Sequence, residues 1–385
     1  MTRVRRRAVL RCALSAIWVG AFSGLASPLL VWPPVVEAEP LPAKKEADII
    51  AKIARETMRQ HDVPALSLAI AKRGQCVYRH AFGVVDKGTG EQATPDTLFR
   101  IASLTKPITS VAIFSLIEQG RLSLGDRIFG EHGRLGFDYA PVYPDRVTRI
   151  TLHHLLTHTA GGWGNGRDDP TYLYPEMDHR ELIRFVLLTR VLSNEPGTHY
   201  EYSNFGYSIL GRVIEKMTGQ PYSDYVQQSV LHRCGIHDMA LGGNTLTERA
   251  PHEAIYYDAN GSADKAYEID LRRRDSHGGW IATPSDLVRF TMHVDGEGIT
   301  PSILTRDSIK AMTTPSAANS GYACGWAVNG VPNWWHDGRL PGSAAIMVRT
   351  ASGLCWAAFA NTQRDRLDLD QMMWRVVRSV PAWHA

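Results

Sequence analysis

Ser103 and Lys106 stand three residues apart at the head of a long apolar stretch. Residues at i and i+3 share one face of a helix, so a lysine there can reach the serine hydroxyl. Serine is a poor nucleophile until a base takes its proton. Lysine is such a base only when burial or a neighbouring cation lowers its pKa. A helix N-terminus also helps to hold a developing oxyanion. Taken alone, the pair reads more simply as an N-cap serine followed by an exposed lysine.

A second group, Tyr202-Ser203-Asn204, lies ninety-nine residues further on, just before another helical pattern. A loop tyrosine can pass a proton between nucleophile and leaving group, and Asn204 can bond both a lysine and a substrate amide or carbonyl. The same residues could equally be a helix cap beside a packing tyrosine. A third group is His336-Asp337-Gly338, followed by Arg339-Leu340-Pro341-Gly342-Ser343. Glycine there lets a strand approach a ligand closely, and edge N–H groups could complete an oxyanion hole. An ordinary turn would look the same.

These groups need elements to hold them. Lys44 to Gln60 has the pattern of a surface helix, with apolar Ile49, Ile50, Ile53 and Met58. Pro64 to Ala71 and Cys76 to Val84 are apolar runs around Lys72-Arg73-Gly74-Gln75, a β-hairpin signal. The stretch after Ser103 is helical to about Gln119, with Gly120 where a C-cap would want it. Helical patterns follow at 152–158, 180–189, 207–218 and 222–231, punctuated by prolines, and Thr283 is a good N-cap for a helix over 284–295. Strand-like stretches at 322–328, 344–350 and 354–361 precede an amphipathic helix over 368–380. Strands from both ends of the chain must therefore meet in one antiparallel sheet. The expectation is an α+β fold with helices flanking the sheet and an all-helical lobe inserted.

The chain has 385 residues and a formal net charge of +3. Arg3, Arg5, Arg6, Arg7 and Arg11 supply that excess, so the body is about neutral and shows no nucleic-acid footprint. The basic start and the apolar run Ala13 to Trp32 read as an export signal, cut after Ala38 or near Gly24-Leu25-Ala26. Arg6-Arg7 loosely resembles a twin-arginine motif. The other reading is an uncleaved membrane anchor. Cys76, Cys234, Cys324 and Cys355 could oxidise in an exported protein, in pairs the sequence does not specify.

Order and spacing bind the three groups together. S-x-x-K on a helix, Y-x-N on a loop of a helical insertion and H-x-G on a late strand match the penicillin-recognising serine hydrolases. From about residue 45 to its end the chain resembles the class C β-lactamase-like branch of that penicillin-binding-protein-like family, among its esterases and DD-peptidases. Phe99-Arg100-Ile101-Ala102, the stretch from Ile150 to Gly162, and Gly278-Gly279-Trp280-Ile281 support the match. The resemblance implies a β-lactamase/transpeptidase-like fold, with an α/β lobe of about 45–121 and 275–385 and a helical lobe of about 122–274. Residues 39–385 would form the catalytic domain and 1–38 the signal peptide.

The resemblance also implies roles. Ser103 would be the acylated nucleophile, Lys106 its base or proton partner with Tyr202, and Asn204 the group holding substrate and lysine. Backbone N–H groups of Ser103 and Arg339 would form the oxyanion hole. His336, Gly338 and Arg339 would line the substrate strand. His336 stands where classical β-lactamases carry a lysine that binds the drug's carboxylate. Arg339 could replace that cation or simply face solvent.

The expected activity is hydrolysis of an ester or amide through an acyl-enzyme, in the periplasm or outside the cell. A DD-peptidase or weak β-lactamase is the alternative within enzymes, and a non-catalytic ligand-binding relative is the alternative outside them. The expected partner is a small-molecule or peptide substrate, with no nucleic acid, no cofactor and no metal. His153, His154 and His158 invite a zinc reading, but the glutamate of H-E-x-x-H is absent. Trp163, Trp280, Trp334 and Trp335 could line a cleft for an apolar acyl group, or be core. Asp168-Asp169 reads as a solvated loop.

Overall fold

A computed structural model describes residues 41–384 apart from 167 and 298. The export signal expected over 1–38 lies outside the described residues. Nine strands occur among them: β1 (Ala65–Lys72), β2 (Gln75–Gly83), β3 (Phe99–Arg100), β4 (Ala240–Leu241), β5 (Trp280–Ala282), β6 (Ala327–Val328), β7 (Trp334–Leu340), β8 (Ser343–Arg349) and β9 (Leu354–Ala360). Six form one antiparallel sheet in the order β2-β1-β9-β8-β7-β6, and β3, β5 and β4 form a small second sheet. β1 pairs with β9 from Leu66↔Ala360 to Lys72↔Leu354, so the two ends of the chain do meet in one sheet.

Side-chain alternation divides this sheet between two cores. Leu66, Leu68 and Ile70 of β1 and Trp356, Ala358 and Ala360 of β9 pack beneath the helices Lys44–His61 and Leu369–Arg378. Ala65, Ala69, Ala71, Ala357 and Phe359 face the other way, toward the main core and the helix Pro284–Val294. Both faces are covered, which is why these strands are apolar at almost every position, Ser67 and Lys72 of β1 excepted.

The helix Thr105–Glu118 runs through the main core and is buried from Thr105 to Leu116. It is enclosed on every side over that stretch, as a central helix must be. Two of its buried hydroxyls tie it to neighbouring segments: Thr109 donates to the Ser276 carbonyl at 2.7 Å, and Ser110 to the Cys324 carbonyl at 2.7 Å. Residues 122–274 supply the helices Leu152–Leu156, His179–Thr189 and Asn204–Thr218, and also the short β4.

Several boundaries differ from expectation. The helix expected to start at Tyr207 starts at Asn204, because Ser203 caps it by accepting from the Gly206 N–H at 3.0 Å. The strand expected over 322–328 reduces to Ala327–Val328. All four described cysteines are unpaired, so no disulfide forms among them. Cys76 and Cys355 sit opposite Ala71 on either side of β1. Two strand spacings of about 4.8 Å each hold their backbones beyond bridging distance.

Candidate active site

Ser103 follows Ala102, whose backbone is left-handed with φ of 50°. Such a conformation is strained for a residue with a Cβ and survives where packing over-determines it. Gly338 of β7 supplies that packing. A Cβ on Gly338 would lie 2.3 Å from the Ile101 carbonyl oxygen, so only glycine lets the strand come this close to the turn carrying Ser103. β6 pairs with β7 only at Trp334 and Trp335, so among the described residues the edge of β7 beyond them has no strand neighbour on that side.

Lys106 is fully buried, and its Nζ has three partners: the Ser103 hydroxyl at 3.0 Å, Asn204 Oδ1 at 2.8 Å and the His277 carbonyl at 3.0 Å. Two of the three are carbonyl oxygens, which only accept. A neutral amine gives them its two N–H bonds and keeps its lone pair for the third partner, the Ser103 O–H. Burial is the main reason that the Lys106 pKa falls to about 7; Asp169 and Asp337 pull it up, and Arg274 pushes it down. Tyr202 lies against both groups, with its ring centroid 4.7 Å from Lys106 Nζ. Burial pushes its phenol well above the ordinary range, and a bond with Ser103 acts in the opposite direction.

Neighbouring loops clasp Tyr202-Ser203-Asn204 at the head of the helix Asn204–Thr218. Ser203 Oγ donates to the Trp163 carbonyl at 2.7 Å, and the Asn204 N–H donates to Asn165 Oδ1 at 2.7 Å. Asn204 Nδ2 donates to Asp169 Oδ2 at 2.9 Å. Asp169 is 5 % exposed, so it is not the solvated loop residue expected from its Asp-Asp setting.

His336 ends a buried relay whose polarity is fixed. The Ser203 backbone N–H can only donate, and it gives to His158 Nδ1 at 3.1 Å. The His158 proton therefore sits on Nε2, which donates to the Tyr322 oxygen at 3.1 Å. Tyr322 passes its own hydrogen to His336 Nε2 at 3.0 Å, and His336 Nδ1 donates to the Asp337 carbonyl at 2.6 Å. Burial lowers the pKa of His336 to about 4 and that of His158 well below its usual value. His336 is thus neutral at pH 7 and supplies no cation in the place of the β-lactamase lysine.

These residues open into a cleft of about 730 Å³ whose walls include Ser103, Asp169, Tyr200, Tyr202, Tyr322 and Arg339. Asn204, His336 and Asp337 also line it. The two readings of Arg339 meet, since its exposed side chain borders the cleft. The tryptophans do not line it. Trp280 and Trp334 are core, Trp163 is buried against Phe205, and Trp335 packs on the second core. Tyrosines take their place beside charged and amide side chains, so polar and apolar surface share the walls. His154 accepts from the Thr151 N–H and His158 belongs to the relay. Among the described residues no cluster of His, Cys, Asp and Glu is placed to hold a metal ion.

Asp169, Asn165 and Tyr322 belong to the site, and spacing does not single them out. Asp169 leaves one trace: it precedes Pro170, the Asp-Pro order of a helix N-cap and N1. Tyr322 leaves none, because its partners lie in distant segments.

A six-stranded antiparallel sheet with flanking helices and a helical region defines a β-lactamase/transpeptidase-like fold. The chain belongs to the β-lactamase family, whose model matches residues 50–378. It is 28% identical to "Penicillin-binding protein 4" of Amycolatopsis lactamdurans, over 78% of this chain and 82% of that one. It is also 28% identical to "Penicillin-binding protein 4*" of Bacillus subtilis, over 72% of this chain, and spans 64% of that relative's length. A D-amino acid amidase from Ochrobactrum anthropi SV3, solved with L-phenylalanine amide, shares the fold with a TM-score of 0.72, 22% identity and coverage of 89% of this chain and 100% of that one. A D-alanine carboxypeptidase from Burkholderia cenocepacia does so with a TM-score of 0.68, 21% identity and coverage of 87% and 99%.

Proposed function

We propose that this chain is a serine hydrolase that acylates Ser103 and cleaves an amide or ester of a small polar acyl group. The observation that carries this reading is the buried Lys106 amine, bonded to Ser103 and to two oxygens that only accept. Lys106, with its pKa near 7, takes the Ser103 proton as the Oγ attacks the carbonyl carbon. Tyr202, whose phenol holds its proton, is a donor and not the base. Its hydroxyl protonates the leaving nitrogen or oxygen and regains a proton from the Lys106 ammonium. Water then hydrolyses the acyl ester. Backbone N–H groups of Ser103 and Arg339 hold the oxyanion, with Gly338 allowing the close approach.

The cleft has Asp, Asn, Tyr and Arg side chains on its walls and, among the described residues, no aliphatic one larger than Ala327, which favours an amino-acid or peptide derivative over a long apolar acyl chain. A second reading, release of a terminal D-alanine, is favoured by Arg339, whose exposed guanidinium borders the cleft where a free carboxylate could pair with it. Residues 39–385 form the catalytic domain in this proposal. Residues 1–38 direct export, which N-terminal sequencing of the periplasmic protein tests: an intact Met1 there would rule out cleavage.

Wild type and Ser103→Ala are compared on a fluorophosphonate probe, an amino-acid amide, a short-chain p-nitrophenyl ester, a chromogenic cephalosporin and a D-alanyl-D-alanine peptide. Labelling and turnover should vanish in Ser103→Ala. Lys106→Ala should slow labelling by about 10²–10⁴-fold. Full turnover by Ser103→Ala would refute the nucleophile. Ser103-dependent cleavage of the peptide alone would select the second reading.

A further inference from the structure

Asn204 can serve Lys106 only in one orientation. Its Oδ1 must face the amine, because a carboxamide N–H in that position would donate to the amine's lone pair and compete with the Ser103 hydroxyl. The side chain itself has no preference, since a half-turn of the amide exchanges oxygen and nitrogen with almost no change of shape. Something outside it must choose.

Asp169 makes that choice. Its carboxylate has no hydrogen to give, so the atom of Asn204 that meets Oδ2 at 2.9 Å must be the Nδ2 donor. Its other oxygen, Oδ1, is held by the Thr171 N–H at 2.9 Å and the Thr171 hydroxyl at 2.8 Å. With both oxygens engaged and 5 % of the residue exposed, the carboxylate is itself fixed. We propose that Asp169 is a positioning residue for acylation, locking the Asn204 amide so that the Lys106 lone pair is left for Ser103.

The proposal rests on Ser103 as nucleophile and Lys106 as base. It also predicts a charge effect. Asp169 and Asp337 are the anions that favour the Lys106 ammonium, and Arg274 opposes them. The other groups around the amine are uncharged at neutral pH. Burial keeps His158, His277 and His336 neutral, and it keeps the phenols of Tyr202 and Tyr207 protonated. Removing the Asp169 charge therefore makes Lys106 easier to deprotonate.

The test is the rate of Ser103 labelling by a fluorophosphonate from about pH 5 to 9 on the full chain, where the acidic limb reports the base. In Asp169→Asn the new amide must turn its oxygen to the two Thr171 donors. It then presents N–H₂ to Asn204, which flips. The plateau should fall by about 10²-fold, and the acidic limb should move to lower pH by about one unit. The double variant Asp169→Asn, Asn204→Asp restores every bond with one reversed: the amide introduced at position 169 donates to the carboxylate introduced at position 204, which accepts from Lys106. Its plateau should return to within about tenfold of wild type, with the limb now above the wild-type value because the charge touches the amine.

An Asp169→Asn plateau within about twofold of wild type, or a lowered plateau with an unmoved limb, would overturn the proposal. Should Asp169→Asn fail to fold, the double variant decides alone, and a limb at or below the wild-type pH overturns it. Ser103→Ala, run in parallel, separates the two questions: if it labels like wild type, the nucleophile is wrong; if it does not label, the outcome concerns Asp169 only.

Discussion

The amine of Lys106 is held where its charge is costly, and that cost has a measurable pH signature. The unfolded chain keeps this proton up to the ordinary lysine value of 10.5, whereas the folded protein releases it near 7. Between those values the unfolded state binds one more proton, so rising pH favours the folded state. Stability relative to Lys106→Met should therefore grow between about pH 7 and 10.5, by up to roughly 1.4 kcal/mol per pH unit. Urea titrations of both proteins at several pH values measure it. Parallel curves would mean that the folded lysine keeps its proton. The same depressed value sets the active form: labelling of Ser103 should rise with pH through an acidic limb near 7. Tyr322 is the other residue whose removal is informative. Tyr322→Phe leaves the His158 Nε2–H and the His336 Nε2 lone pair buried without partners. Each such orphan costs about 1–3 kcal/mol, so its urea midpoint should fall clearly, and an unchanged midpoint would mean that the relay contributes no stability.

Among the elements, the contact between β7 and the turn carrying Ser103 constrains the site most directly. Gly338→Ala places a Cβ 2.3 Å from the Ile101 oxygen, and backbone cannot swing aside as a flexible side chain would. The strand must retreat, with a stability cost of about 1–3 kcal/mol and a displaced oxyanion edge. Labelling by fluorophosphonate should drop by at least about tenfold, and a variant of wild-type rate would show that β7 does not hold the oxyanion. The helix Asn204–Thr218 plays a double part. Ser203 caps it, and the cap position places Tyr202 just outside the helix and Asn204 just inside it. The capping and catalytic readings of this tripeptide are therefore compatible, because a cap is a fixed point from which neighbouring side chains can be aimed.

At the scale of the whole molecule, two cores on opposite faces of one sheet make covalent staples unnecessary. Cys234, Cys324 and Cys355 are buried, while Cys76 is exposed. Burial pushes the Cys234 and Cys324 thiols up to about 12 and raises that of Cys355 as well, so all three stay protonated and inert. In native protein lacking residues 1–38, a maleimide should label Cys76 alone, and a reductant should leave the melting temperature unchanged. A reductant-sensitive melt would reveal a disulfide. The two cores also explain why segments about 290 residues apart in sequence must pair: β1 and β9 are central strands, and each contributes alternate side chains to both cores.

The sequence alone indicated most of the element types and singled out the three groups that the fold brings to one cleft. The alternation and apolar runs of β1, β2, β8 and β9 identify strands whatever their partners, and Ser103 with Lys106 needs only the i, i+3 geometry of one helix. It offered Tyr202-Ser203-Asn204 as either a helix cap or a catalytic group, and the fold showed that Ser203 caps the helix between the other two. Tertiary structure decided what depends on environment. The Lys106 pKa comes from burial among segments 98 and 171 residues away. The neutrality of His336 follows from a relay through Tyr322 and His158 to the Ser203 N–H. Asp169 looks solvated by composition and is enclosed only because its loop folds under Asn204. Tryptophans suit a cleft by type, but shape and packing send these four to the cores and leave the cleft to tyrosines. Periodicity is local and survives in one dimension; desolvation, proton placement and the lining of a cleft are properties of neighbours, and neighbours are set only when the chain has folded.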